Sequence, residues 1–113
     1  MAESPTSRTL KALRKRGWEA DIVERRLTKF VTKDFFGFAD ILAVMDDETL
    51  AVQCTTVVNQ SARVKKVLAE RRTFKWMRAH NRVQVWGWAK RDVNGKPRWQ
   101  PTIREIHLWE LMA

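Results

Sequence analysis

Residues 37–56 read GFADILAVMDDETLAVQCTT, and the fold turns on how this stretch doubles back on itself. Two apolar runs, residues 38–45 and 49–55, flank a short polar DDE segment, which predicts an antiparallel hairpin. Side chains alternate along a strand, so Asp40 shares a face with Leu42 and Val44, and Gln53 shares one with Ala51 and Thr55. Directly opposed residues also share a face, so the loop length decides whether these polar groups meet. A two-residue Asp46-Asp47 loop opposes Asp40 to Gln53, a four-residue loop opposes it to Thr55, and a three-residue loop separates them. The turn contains no glycine, so a four-residue loop built on a type I turn is the expectation.

With an even loop, three polar side chains gather on a face otherwise made of Leu, Val and Ala. Burying an unpartnered carboxylate costs several kcal/mol or raises its pKa. A cation should therefore stand near Asp40: an arginine, a lysine or a metal ion. Hard oxygen donors suit Mg²⁺. Spacing leaves a second arrangement open, in which Asp40 accepts backbone or arginine hydrogen bonds and Gln53 simply pairs with it.

Outward from the hairpin, residues 7–16 (SRTLKALRKR) place Leu10 and Leu13 three apart in a basic stretch that ends at Gly17, which predicts a short amphipathic helix. WEADIVERR follows, with Trp18, Ala20, Ile22 and Glu24 on one face of a half-buried strand. LTKFVTKDFFG reads as a loop with some extended structure. After the hairpin, NQSARVKKVLAERRTFKWMRAHN is helical, capped by Asn59 or Ser61, with a stripe of Val64, Val67 and Leu68 and a break near Thr73. RVQVWGWAK is a further strand, and GKPRWQPTIREIHLW a turn and a last extended piece. The order α-β-β-β-α-β-β points to one mixed sheet with helices packed on it, and the helix before the fourth strand permits a parallel crossover.

The 113 residues bound a single domain spanning 1–113, and 44% apolar content is ordinary for a globular chain. Twenty-two Lys and Arg against thirteen Asp and Glu leave +9, a field that attracts nucleic acid first and anionic membrane second. No stretch approaches the roughly twenty apolar residues of a membrane span, and no signal-peptide run is present. Cys54 is the sole cysteine, so the cytoplasm is the expected compartment; His80 and His107 are isolated and form no zinc pattern.

At the hairpin the sequence resembles the PD-(D/E)xK nuclease superfamily, the restriction-endonuclease-like fold that includes Holliday-junction resolvases, and small phage and prokaryotic members most. That family has an α-β-β-β-α-β core with a mixed central sheet flanked by helices. Its motif is an Asp opening the second strand and (D/E)-x-K closing the third. FGFADILAV supplies Asp40 in the first role, and LAVQCTT occupies the second. The resemblance spans residues 8–90 and implies an Mg²⁺-dependent DNA endonuclease, with Mn²⁺ as the substitute ion. Asp40 would be the principal metal ligand, Gln53 would take the second acid's place, and Cys54 would lend its backbone carbonyl. Thr55 stands where lysine is expected.

An amide oxygen can coordinate Mg²⁺ without the charge, but a threonine brings no cation. Losing such a group typically costs about 10²–10⁴ in rate. Glu24 or Asp34 could restore the negative charge, and Lys65 or Lys66 could bring the cation from the following helix. The alternative is a catalytically impaired DNA-binding module of the same fold. Pairing of two copies into a homodimer that cuts both strands also belongs to what the family does.

From Ser61 to Ala79 the basic residues are Arg63, Lys65, Lys66, Arg71, Arg72, Lys75 and Arg78, against Glu70 alone. The first helix adds Arg8, Lys11, Arg14, Lys15 and Arg16. These are the expected phosphate contacts. No base-reading motif is present, so backbone or shape recognition is expected. Trp86 and Trp88, alternating with Val83 and Val85, are expected to cover a sheet face, with Trp18 and Trp76 also in the core. Trp99 and Trp109 have no assignment.

Overall fold

Ser4 starts the chain's first helix: its hydroxyl accepts a hydrogen bond from Ser7 N at 3.1 Å, and Pro5 occupies the first turn, where no amide donor is needed. The computed structural model describes residues 3–112. Helix α1 (Pro5–Lys15) thus begins a little earlier than its apolar spacing suggests, and Gly17, at φ +97°, turns the chain out of it. Then come β1 (Glu19–Ile22), a small hairpin of β2 (Arg25–Arg26) and β3 (Thr32–Lys33), β4 (Ile41–Met45), β5 (Glu48–Thr56), α2 (Val57–Ala69), α3 (Arg71–Arg78), β6 (Arg82–Val93), β7 (Lys96–Ile106) and a 3₁₀ turn (Leu108–Leu111).

The main sheet has the order β1-β4-β5-β6-β7. Its first three strands form an antiparallel meander, β5 and β6 run parallel across the α2–α3 connection, and β7 returns antiparallel to β6. The protein is therefore mixed α/β, as expected. Among the described residues, no helix is long and apolar enough to cross a membrane.

The β4–β5 register pairs Met45 with Glu48, so the loop is the two-residue Asp46-Asp47 turn and not the expected four-residue one. Asp46 takes φ +56°, a left-handed conformation that aspartate tolerates, so the tight turn closes without glycine. The hairpin starts at Ile41 rather than at residue 38, because Phe35 and Ala39 pair with each other around a turn at Phe36 and Gly37. Of the small hairpin, β2 lies at the end of the segment expected to be one strand, which stops at Ile22, and β3 lies in the segment expected to be a loop with some extended structure.

The helix break falls at Glu70, not near Thr73. Thr73 is buried inside α3, donating its hydroxyl to Val67 O at 2.8 Å. Asn59 and Ser61 do not cap α2: Thr56 occupies the N-cap position, since the helix starts as soon as β5 ends.

Strand parity divides the core in two. Ala20, Ile41, Ala43, Leu50, Val52, Cys54, Trp86 and Trp88 lie under α1 with Leu13. Ala51, Val83, Val85 and Ile106 form the opposite layer with Val67 of α2 and Phe38. Trp86 and Trp88 cover one face while Val83 and Val85 face the other, as alternation requires. Trp18 and Trp76 are only partly buried, each at the edge of its layer. Trp99 is exposed beneath the Arg8 guanidinium, 4.2 Å from the ring centre, and Trp109 stacks on His107.

Candidate metal centre

Asp40 sits where three chain pairings meet. Its amide donates to Val52 O at 2.8 Å, and its carbonyl accepts from Val23 N at 2.8 Å, so it is held between β5 and the end of β1. The Phe35–Ala39 bridge on its other flank folds Asp34 back beside it. The two-residue turn opposes Asp40 to Gln53, and the side chains meet: Gln53 Nε2 donates to Asp40 Oδ2 at 2.5 Å, and Cys54 N donates to the same oxygen at 2.8 Å. Asp40 and Gln53 are both buried, at 3% and 1% exposure.

Three carboxylates converge here. Glu24, Asp34 and Asp40 each place an oxygen within 4.8 Å of the others. By strict alternation Glu24 would share the α1 side with Ala20 and Ile22. It escapes because β1 ends at Ile22 and the chain bends, with Glu24 N also directed at Asp40 O (3.4 Å). Lys66 reaches in from α2, its Nζ 2.9 Å from Asp34 Oδ2. Of the two candidate lysines the structure thus brings Lys66 to the cluster, whereas Lys65 lines a groove between α2 and β7.

Burial, more than anything else, raises the Asp40 carboxyl to about 8; the Cys54 amide pulls it down, and the carboxylates of Asp34 and Glu24 push it up again. A cation relieves all of this at once. The one buried side-chain polar atom left without a hydrogen-bond partner, among the described residues, is Gln53 Oε1. A half-turn of that amide would replace its NH₂ with this oxygen beside Asp40. Three carboxylates and an amide oxygen are an all-oxygen donor set, which fits Mg²⁺ or Mn²⁺. Against one divalent ion and the Lys66 ammonium, the three negative charges are neutralised.

Thr55 shares the face of Gln53 and is buried at 5% exposure, bringing no charge to the position. The Cys54 thiol lies in the α1 layer, where burial pushes its pKa up, so its side chain faces away from the carboxylates and its amide is committed to Asp40.

The expected phosphate contacts divide by location. α1 covers the sheet face opposite Asp40, and three of its cations are engaged: Arg8 on Trp99, Lys11 with Glu3, Arg14 with Ala20 O and Asp21. These three do not join the carboxylate side. Arg63, Lys65, Lys66, Arg71 and Arg72 are on α2 and α3, with Arg72 braced by Glu70 at 2.6 Å. Arg25 and Lys33, at the base of the β2–β3 hairpin and outside the expected phosphate contacts, both line the groove that contains Asp34. Their placement depends on the hairpin, whose sequence shows no strong strand periodicity.

No family model matches the chain, and neither a curated protein nor a solved structure does.

Proposed function

We propose that this protein is a divalent-metal-dependent DNA endonuclease of restriction-endonuclease-like fold. The observation that carries the reading is the convergence of Glu24, Asp34 and Asp40 within 4.8 Å on the sheet face that also carries buried Gln53. The family's helix, three-stranded meander, helix and strand find counterparts in α1, β1-β4-β5, α2 and β6, with the β2–β3 hairpin and α3 as additions. The net charge of +9 supports a polyanionic substrate.

In this reading Asp40, Asp34 and Glu24 hold Mg²⁺ or Mn²⁺, and Gln53 supplies a neutral oxygen. The chemistry such an ion supplies is polarisation of a phosphodiester oxygen and activation of water at neutral pH. Lys66 takes the part of the missing motif lysine from a different backbone position, placing positive charge where the phosphate gains negative charge. Its contact with Asp34 holds the ammonium at the edge of the cluster until substrate arrives. Cys54 N keeps Asp40 Oδ2 oriented, so the carboxylate is held in place to serve as a ligand.

The test is cleavage of duplex, flap and four-way-junction DNA with Mg²⁺ or Mn²⁺, wild type beside Asp40→Ala. Cleavage by the wild type that Asp40→Ala abolishes is the expected result. A wild type that shifts DNA on a gel but cuts none of the substrates would leave a DNA-binding module without catalysis.

A further inference from the structure

Next to the carboxylate cluster lies a second, less polar groove that the hydrolytic chemistry does not use. Phe36, Arg72, Lys75, Trp76, Ala79 and Asn81 line it, and its volume is about 370 Å³, within the roughly 300–1,000 Å³ of small-molecule sites. Phe36 and Arg72 also line the neighbouring groove that contains Asp34, with Arg25 and Lys33 on its walls. A strand could therefore pass from the carboxylates along Arg25, Lys33 and Arg72 and reach the Phe36–Trp76 groove without leaving the surface.

Phe36 is built against its own backbone preference. It has φ +52° and precedes Gly37 at φ +77°, so both central residues of the Phe35–Phe38 turn are left-handed. Ala39 N donates to Phe35 O at 3.0 Å and Phe35 N to Ala39 O at 2.8 Å, closing a hairpin-type turn in which Asn, Asp or Gly is the favoured first residue. A bulky residue there is an outlier. The Arg72 guanidinium passes close over the turn: a Cβ on Gly37 would lie 2.7 Å from Arg72 Nη2. Yet the strained ring remains 43% exposed. Trp76 is fixed edge-on to it, ring centres 6.5 Å apart, with its indole N–H bonded to Arg82 O at 2.9 Å.

We infer that this groove binds one unpaired nucleobase of a nucleic-acid strand, its phosphates held by Arg72 and Lys75, so that the preferred nucleic acid carries a single-stranded segment. Two aromatic rings offer a sequence-tolerant stacking surface, the Asn81 amide offers a donor and an acceptor to a base edge, and the flanking cations match the backbone. In a closed duplex the base faces are covered, so the groove would stay empty. The inference rests on the nucleic-acid part of the function proposed above and not on hydrolysis.

The experiment is fluorescence anisotropy in EDTA with a labelled 12-nucleotide single strand, the matching blunt duplex, and a strand of equal length made of abasic sites. Phe36→Asn gives the turn its favoured residue and should keep or raise the Tm, and Ala79→Leu fills the groove from an exposed position. Both variants should bind the single strand about 5- to 150-fold more weakly, the size of one lost base–aromatic stack, and the duplex within twofold of wild type. Wild type should bind the abasic strand as weakly as the variants bind the normal one. Equal single-strand affinity in wild type and both variants, or a parallel loss for duplex, would overturn the base site. Because metal is absent, a failure of cleavage leaves this result standing, and a failure here leaves the cleavage test standing.

Discussion

Asp40 is buried beside Gln53 and two further carboxylates, and its titration has a measurable sign. Its carboxyl is raised from 3.8 to about 8 without metal, so between those values the native chain holds a proton that the unfolded chain has released. The metal-free protein should therefore be most stable near pH 4 and lose stability as pH rises toward 8. Urea unfolding in EDTA at pH 5, 6, 7 and 8 should show that decline, and Asp40→Asn should flatten it. With Mg²⁺ present the trend should weaken or reverse, because the ion binds the ionised form and its affinity rises through the same window. Lys66 gives a second residue-scale expectation. Lys66→Ala should lower the cleavage rate by roughly 10²- to 10⁴-fold, and adding Thr55→Lys should restore part of it by returning the cation to the motif position. Single-turnover assays with saturating DNA separate this from weakened binding. The face of Asp40 and that of Gln53 on their own strands were legible because period-two alternation is local, but their direct opposition waited on the two-residue turn. Glu24 was legible as a misplaced charge but not in its true direction, since the bend after Ile22 breaks the alternation that would have put it under α1.

Among the elements, α1 is anchored through a buried polar pair. Trp88 Nε1 donates to Thr9 Oγ1 at 2.8 Å across the α1–sheet contact, while the same hydroxyl donates to Pro5 O at 2.7 Å. Thr9→Val keeps the shape but strands the indole N–H in an apolar layer, which should cost about 1–3 kcal/mol. Chemical denaturation reads that directly. The far-UV circular dichroism of the native state should not change. Hairpins and helices were recognisable by pattern, but their edges were not. The β4–β5 loop is two residues because Asp46 accepts a left-handed φ, an allowance that no glycine rule detects. The helix break moved to Glu70 because Thr73 satisfies its hydroxyl on Val67 O and continues the second helix. The β2–β3 hairpin has exposed strands and no apolar alternation, so the periodicity that reveals a buried strand was missing.

For the whole molecule, the two sides of the sheet carry different groups. α1 closes one side with its cations largely engaged in contacts of their own, and the carboxylates, Lys66 and the α2–α3 cations occupy the other. If that side meets about six phosphates, DNA affinity should fall with salt at a log–log slope near −5, measurable by anisotropy titrations between 50 and 200 mM salt. Charge reversal at Arg71 should reduce the slope, whereas reversal at Lys11, on the far side and paired with Glu3, should leave it nearly unchanged.

Composition, strand parity and charge were enough to establish a basic α/β chain and to put Asp40 and Gln53 on one face for any even turn, because those properties depend on neighbours a few residues apart; the two-residue length of the turn was decided by the structure. The convergence of Glu24, Asp34 and Lys66 on Asp40 depends instead on a bend, a five-residue bridge and a helix docked from another part of the chain. No sequence period encodes that meeting. It arises when packing of the two core layers sets where each backbone segment ends, and the charges follow the backbone.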